Sequence, residues 1–230
     1  MAFGIGPGMQ PINLGIGAEI IYSFVLIFCS LMIYFGTKEI YELSSYKGIK
    51  YFRLAFLFLG FAYFVRLFLQ IILTYFDLHE ILEFNPMGGG YLILASFMYF
   101  SMMSIFYLIA SVLSKNLKDN SKIIYGFHAV AVAVALVTVF FNNSIFYFGL
   151  SVLLFISAGV SIYLSSHNSK FKSKKNRFDT VYILLLIFLV LNIVNILVPA
   201  FLQTVKLLVY LVSLSIFFVM VYKVLKKAGN

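Results

Sequence analysis

Long apolar stretches separated by short polar runs dominate the sequence. Seven stretches are long enough for a membrane-spanning helix, which needs about 20 apolar residues. They cover approximately residues 14–36, 50–76, 91–113, 122–141, 145–165, 179–200 and 202–224. Asn142, Asn143 and Ser144 separate the fourth and fifth stretches, and Pro199 marks the break between the last two. The pattern predicts an all-α membrane protein, a seven-transmembrane helical bundle that forms a single domain over residues 1–230.

The basic residues follow the predicted spans in a one-sided pattern. Of the 17 Lys and Arg residues, 15 lie at the ends of the first, third, fifth and seventh spans or in the segments that follow them. Seven alternating spans place all of these segments on one side, opposite the N-terminus and the acidic loop 77–90. Cytoplasmic loops of membrane proteins carry the excess of Lys and Arg. We therefore expect a multi-pass protein of the cell membrane with its N-terminus outside and its C-terminus in the cytoplasm.

Composition supports this class. The chain is 63% hydrophobic and 11% charged, whereas soluble domains carry about 25% charged residues. A net charge of +9 is also typical of nucleic-acid-binding proteins. The short basic runs between apolar segments favour membrane orientation instead, and we expect no nucleic-acid partner.

Two polar segments on the predicted cytoplasmic side are candidate contact surfaces. The more basic one contains Lys170, Lys172, Lys174, Lys175 and Arg177. Such a cluster attracts anionic lipid headgroups, and docking of a protein partner is the alternative. The other, residues 37–53, is predicted to extend the first helix beyond the bilayer, with Gly48 turning the chain into the second span. It is the better candidate for a protein contact.

Ionisable residues inside three of the spans are the main candidates for a functional site. A charged side chain in the membrane is costly and normally faces the bundle with a partner. Helical spacing extends these charges into polar stripes. The candidate set is Glu19, Tyr63, Arg66, Gln70, Asn192, Asn195, Lys206 and Tyr210. We expect a polar pocket that opens outward between spans one, two, six and seven and suits a small polar or anionic ligand or a lipid. The alternative is a structural ion pair between Glu19 and either Lys206 or Arg66.

The sequence shows no pattern typical of an enzyme. Cys29 is the single cysteine, and three scattered histidines do not form a metal-binding cluster. No arrangement of an activated Ser, Cys or Thr is evident. We expect no catalytic activity, no metal and no cofactor, and His128 is interpreted as a core histidine with a hydrogen-bond partner.

The segment TKEIYELSSYKGIKYFRLAFLFLGFAYFVRL, residues 37–67, resembles one in uncharacterised archaeal seven-span membrane proteins. The resemblance implies an archaeal cell membrane and gives no activity.

Three functional hypotheses follow. The first is a sensor or receptor-like bundle that signals to a separate cytoplasmic partner. The second is a small-solute transporter or channel, and the third is an accessory subunit of another membrane protein.

Overall fold

The computed structural model describes residues 14–75, 89–114, 121–141, 179–197 and 203–228, with short helical pieces between residues 149 and 160. Among these residues, the backbone is α-helical apart from short turns, and no strand is present. The prediction of an all-α protein is therefore confirmed for this part of the chain.

The helices closely follow the predicted spans. Their bounds are α1 Leu14–Gly36, α2 Lys38–Ser44, α3 Lys47–Tyr75, α4 Gly89–Leu113, α5 Ser121–Phe141, α6 Asp179–Leu197 and α7 Gln203–Ala228. Most of the predicted fifth span, 145–165, lies outside the described residues. The apolar length of each stretch, rather than any capping signal, was sufficient to place these helices within a few residues.

Four helical segments in the described part of the chain are long and apolar enough to cross a membrane. They are Gly17–Ser44, which combines α1 with α2, and Lys47–Phe68, Ala95–Leu113 and Thr204–Lys226. Shorter apolar segments, Ile123–Val137 and Val181–Leu191, lie within α5 and α6. The chain is thus helical, and its long apolar helices suggest a membrane protein.

The connection from α1 to α3 corrects one detail of the sequence interpretation. The Thr37 hydroxyl donates to the Ile33 carbonyl at 2.7 Å, and Tyr41 N–H donates to the Thr37 carbonyl, so helical hydrogen bonding continues from α1 into α2. The chain then turns at Ser45, which has a left-handed φ of 49°. Gly48 lies within the first turn of α3 and does not have a positive φ. The expectation that Gly48 forms the turn was wrong.

Gly48 is instead a point of close helix packing. A Cβ atom at this position would lie 2.7 Å from the Ser114 hydroxyl and would also meet the Tyr46 ring. The Ser111 hydroxyl donates to the Gly48 carbonyl at 2.7 Å. A small residue therefore lets the start of α3 approach the end of α4, as small residues do between membrane helices.

Helix α1 lies between α3 and α7, and the chain of contacts continues from α3 to α4 to α5 and from α7 to α6. Glu19 pairs with Arg66 and Tyr34 accepts a hydrogen bond from Arg53, so α1 and α3 are antiparallel. Tyr22 contacts Tyr210, whereas Gly36 lies against Leu225. Helices α1 and α7 are therefore parallel.

The bundle has two ends, one near Glu19 and the other near Ser111. Helix α6 contacts the other helices at the end near Ser111, which is named here the Ser111 end. The Tyr182 hydroxyl lies 2.8 Å from the Ser111 hydroxyl, and its ring packs edge-on against Phe52. Further along, Phe188 packs against Phe217 of α7. Helix α6 therefore contacts α3, α4 and α7. The end that contains Glu19 is named the Glu19 end.

Candidate functional site

An ion pair joins α1 to α3 near the Glu19 end of the bundle. The Arg66 guanidinium donates a hydrogen bond to the Glu19 carboxylate. The two side chains remain 22% and 20% exposed, respectively. The sequence left open whether Glu19 pairs with Arg66 or with Lys206, and the structure selects Arg66.

Three tyrosines from three helices form a group of ring contacts near Arg66. Tyr22 of α1 stacks on Tyr210 of α7 with ring centroids 4.4 Å apart, and it meets Tyr63 of α3 edge-on at 5.9 Å. Tyr63 and Tyr210 both interact electrostatically with Arg66. We call Glu19, Tyr22, Tyr63, Arg66 and Tyr210 the ion-pair cluster.

The tyrosines of the ion-pair cluster are almost completely buried, at 2%, 5% and 4% exposure for Tyr22, Tyr63 and Tyr210. The charged groups, with about a fifth of their surface exposed, are therefore its accessible part. The buried rings lower the local dielectric, which strengthens the attraction between the two charges. The cluster therefore combines a partly exposed ion pair with three buried tyrosines.

A buried serine hydroxyl adjoins the cluster. Ser23 is 0% exposed, and its hydroxyl has no hydrogen-bond partner within the described ranges. It follows Glu19 by four positions, so the two residues lie on the same face of α1, one turn apart. Burying a hydroxyl without a partner is unfavourable. Ser23 can therefore donate to or accept from a molecule that enters the cluster.

Lys206 lies at the same level as Glu19. It precedes Tyr210 by four positions on α7, and Glu19 precedes Tyr22 by three positions on the parallel helix α1. Both residues are therefore about one turn from the stacked rings, toward the Glu19 end. Lys206 is half-buried and forms no ion pair with any residue that the structure describes.

The structure thus brings Glu19, Tyr63, Arg66 and Tyr210 together and places Lys206 close to their level. The other predicted members are Gln70 on α3 and Asn192 and Asn195 on α6. The structure describes their helices but not their side chains. The basic residues predicted to meet lipid headgroups, Lys170, Lys172, Lys174, Lys175 and Arg177, also lie outside them. Their roles stay predictions.

Sequence reasoning missed Tyr22, which forms the centre of the cluster. A signal existed, because Tyr22 follows Glu19 by three positions and therefore shares its face of α1. It was hidden by the 16 tyrosines and 27 phenylalanines of the chain, most of which are interpreted as lipid or core contacts.

Several other polar contacts in the described helices join neighbouring helices. His128 Nδ1 lies 2.7 Å from the Tyr99 hydroxyl, which gives this histidine the partner expected of it. At the Ser111 end, Ser111 contacts Tyr182, and Ser114 contacts Tyr46 at 2.8 Å. These bonds join neighbouring helices and leave the ion-pair cluster as the candidate site.

Comparison with known proteins gives a relative but no function. No protein-family model matches the chain, and no solved structure matches it. A protein of Archaeoglobus fulgidus described as "Uncharacterized protein" is 28% identical over 227 residues, which cover 97% of each chain. The resemblance to uncharacterised archaeal proteins thus extends over nearly the whole sequence, whereas the seven-span family stays a prediction. The chain is similar from end to end to an archaeal protein of uncharacterised function.

Proposed function

We propose that this chain is a multi-pass protein of the cell membrane, a seven-helix bundle of the sensor or receptor type. It binds a small polar or anionic ligand, or a lipid, at the ion-pair cluster. The cluster faces outward, and the opposite end of the bundle signals to a separate cytoplasmic partner.

The positions of the helix ends support seven crossings. Helix α5 follows α4 after a short connection, so it begins at the Ser111 end, and its 21 residues extend about 31 Å. Helix α6 also begins at the Ser111 end, where Tyr182 contacts Ser111. The end of α5 and the start of α6 are therefore at opposite ends of the bundle. The predicted fifth span, 145–165, would supply the crossing between them.

Charge supports the orientation. The antiparallel and parallel arrangements described above place Lys38, Lys47 and Lys50 at the Ser111 end, together with Lys223 and Lys226 of α7. The excess of positive charge marks the cytoplasmic side. The Glu19 end would then face outward, and the Ser111 end would meet anionic headgroups or a protein partner.

The observation that carries the proposal is the partly exposed Glu19–Arg66 ion pair. Pairing two charges inside a helical bundle has a desolvation cost that packed apolar residues would avoid, so such a pair is weak evidence for a stabilising role. Intramembrane ionisable residues mark ligand or ion sites by default. Here the pair is partly exposed, and the unpartnered Ser23 hydroxyl belongs to the residue one helical turn after Glu19 on α1.

A route from the site to the other end is available along α1. Glu19 lies near its start, and helical hydrogen bonds continue through Thr37 into α2. A ligand that separates Glu19 from Arg66 would change the contact between α1 and α3. Because α1 also packs on α7, a shift of α1 would reach α2 and the end of α7 together.

A thermal melt of the purified protein tests ligand binding. Cys29 is 2% exposed, so a thiol-reactive dye should label it on unfolding. Small anions, amino acids and lipids are added in turn, and a ligand at a hundredfold excess over its Kd stabilises by about 2.7 kcal/mol. We expect at least one to raise the melting temperature. The shift caused by acidic compounds should be reduced in Lys206→Met and kept in Lys226→Met, the matched control at the far end of α7.

The results separate the three hypotheses. A ligand shift without solute flux in proteoliposomes supports the sensor, whereas flux of the same ligand would identify a transporter or channel. No shift with any compound, together with stable co-purification of another membrane protein, would refute the sensor proposal in favour of an accessory subunit.

A further inference from the structure

The shape of the ion-pair cluster restricts how a ligand can enter. Tyr22, Tyr63 and Tyr210 are buried, and the exposed surface belongs to Glu19 and Arg66. A ligand arriving from the Glu19 end therefore meets the two charges first. It reaches the hydroxyl of Ser23 and the tyrosines only by taking the place of one charge or of both.

The charges decide which ligand can do this. A simple anion that takes Arg66 leaves the Glu19 carboxylate without its partner, and a simple cation that takes Glu19 leaves Arg66 in the same condition. An unpaired charge in a site of low dielectric is strongly unfavourable. A molecule with one carboxylate and one ammonium a few ångströms apart satisfies both residues at once.

We propose that the cluster binds a zwitterion of the α-amino acid class, which inserts into the Glu19–Arg66 pair. The ligand carboxylate accepts hydrogen bonds from the Arg66 guanidinium, a geometry that arginine favours. The ligand ammonium donates to the Glu19 carboxylate, and the Ser23 hydroxyl gains a partner. This inference rests on the proposed function and specifies its ligand.

The side chain of the ligand would lie toward Lys206, which is level with Glu19 and has no ionic partner among the described side chains. An acidic side chain would pair with Lys206. We therefore expect acidic amino acids to bind more tightly than neutral ones, and Lys206→Met to remove that difference without removing binding of neutral amino acids.

Matched compounds test the zwitterion directly. The purified protein in a non-ionic detergent is melted with L-alanine, L-leucine, L-serine or L-glutamate. Propionate is alanine without its ammonium, and ethylamine is alanine without its carboxylate. We expect a concentration-dependent rise in melting temperature with at least one amino acid, and no rise with propionate or ethylamine at the same concentration.

Variants locate the effect. Glu19→Gln and Arg66→Gln should each weaken amino acid binding at least tenfold. Either could fold poorly, so the charge-swapped double variant Glu19→Arg/Arg66→Glu is the second test. It restores an ion pair, and a zwitterion can bind it in the reverse orientation. We expect the swap to recover most of the binding lost in each single variant.

The same α-amino carboxylate occurs in the headgroup of phosphatidylserine. Melts in lipid nanodiscs with and without this lipid distinguish the sources. Stabilisation by free amino acids assigns a soluble ligand, and stabilisation by phosphatidylserine alone assigns a lipid. Binding of propionate as tight as that of alanine would overturn the zwitterion while leaving the proposed pocket intact. No binding by any compound would overturn both.

Discussion

Replacing only one residue of the Glu19–Arg66 pair should destabilise the protein far more than replacing both residues. Deleting one partner of a buried pair costs about 3–5 kcal/mol because the other charge is left behind. Both side chains retain about a fifth of their exposure, so water reaches the stranded charge. We therefore expect about 2–3 kcal/mol for Glu19→Gln and for Arg66→Gln, at the lower end of that range or slightly below it.

The double variant Glu19→Gln/Arg66→Gln should behave differently. It leaves two neutral amides that can hydrogen-bond to each other, so no charge remains unpaired. We expect it to cost about 1 kcal/mol or less, which is well below the sum of the single variants. The resulting coupling energy of at least about 3 kcal/mol is at or above the upper end for residues in direct contact.

The assay measures unfolding at increasing concentrations of sodium dodecyl sulfate, and the extent of Cys29 labelling reports the unfolded fraction. This thiol is 2% exposed in the folded protein and becomes reactive when α1 separates from the bundle. Lys38→Gln is the matched control, because the Lys38–Glu42 pair is about 60% exposed on both sides and surface pairs contribute little. If the double variant loses as much stability as the two single variants combined, the ion pair described here does not exist in the membrane.

Two further predictions concern the Ser111 end. Gly48→Ala should destabilise by about 1–3 kcal/mol, since a Cβ would collide with Tyr46 and Ser114. The helical control Gly126→Ala, where nothing lies within 4 Å, should be neutral or stabilising by up to about 1 kcal/mol; equal effects would contradict the close packing at Gly48. Tyr182→Phe should cost about 1 kcal/mol through loss of its bond to Ser111, and an unchanged unfolding midpoint would show that α6 does not rely on this contact.

The helices could be predicted because a membrane-spanning helix has a minimum length. A span needs about 20 apolar residues whatever its neighbours are, so Leu14–Gly36 and Gly89–Leu113 were visible without tertiary information. The membership of Glu19 and Arg66 in the candidate site could be predicted for a similar reason. A charge in an apolar span requires a partner, and few charges occur within these spans.

The choice of partner was not predictable. Arg66 and Lys206 are both close enough in depth to reach Glu19, so the selection depends on how α3 and α7 are rotated about their axes. That rotation is set by contacts between side chains, such as the stacking of Tyr22 on Tyr210 and the packing of Gly36 against Leu225. The hydropathy pattern of the sequence does not predict these contacts.

The prediction of the turn after α2 was wrong for a related reason. Glycine is the residue most able to adopt a left-handed backbone, so Gly48 was the natural choice from sequence. The chain uses Ser45 instead and keeps Gly48 for the approach to α4. Glycine has two uses, conformational freedom and absence of a side chain, and only the position of the neighbouring helix tells them apart.

The stability of the double variant also bears on function. A structural pair and a ligand site both predict that the single variants lose stability, so those measurements do not separate the two roles. Both roles also allow a small loss in the double variant, so they differ in whether the natural protein responds to amino acids and the double variant does not. If the bundle without Glu19 and Arg66 is nearly as stable as the natural protein and no longer responds to amino acids, the charges are not needed for folding. Their contribution is then to exchange partners with a molecule from outside, which a pair of amides beside Tyr22 and Tyr63 cannot do.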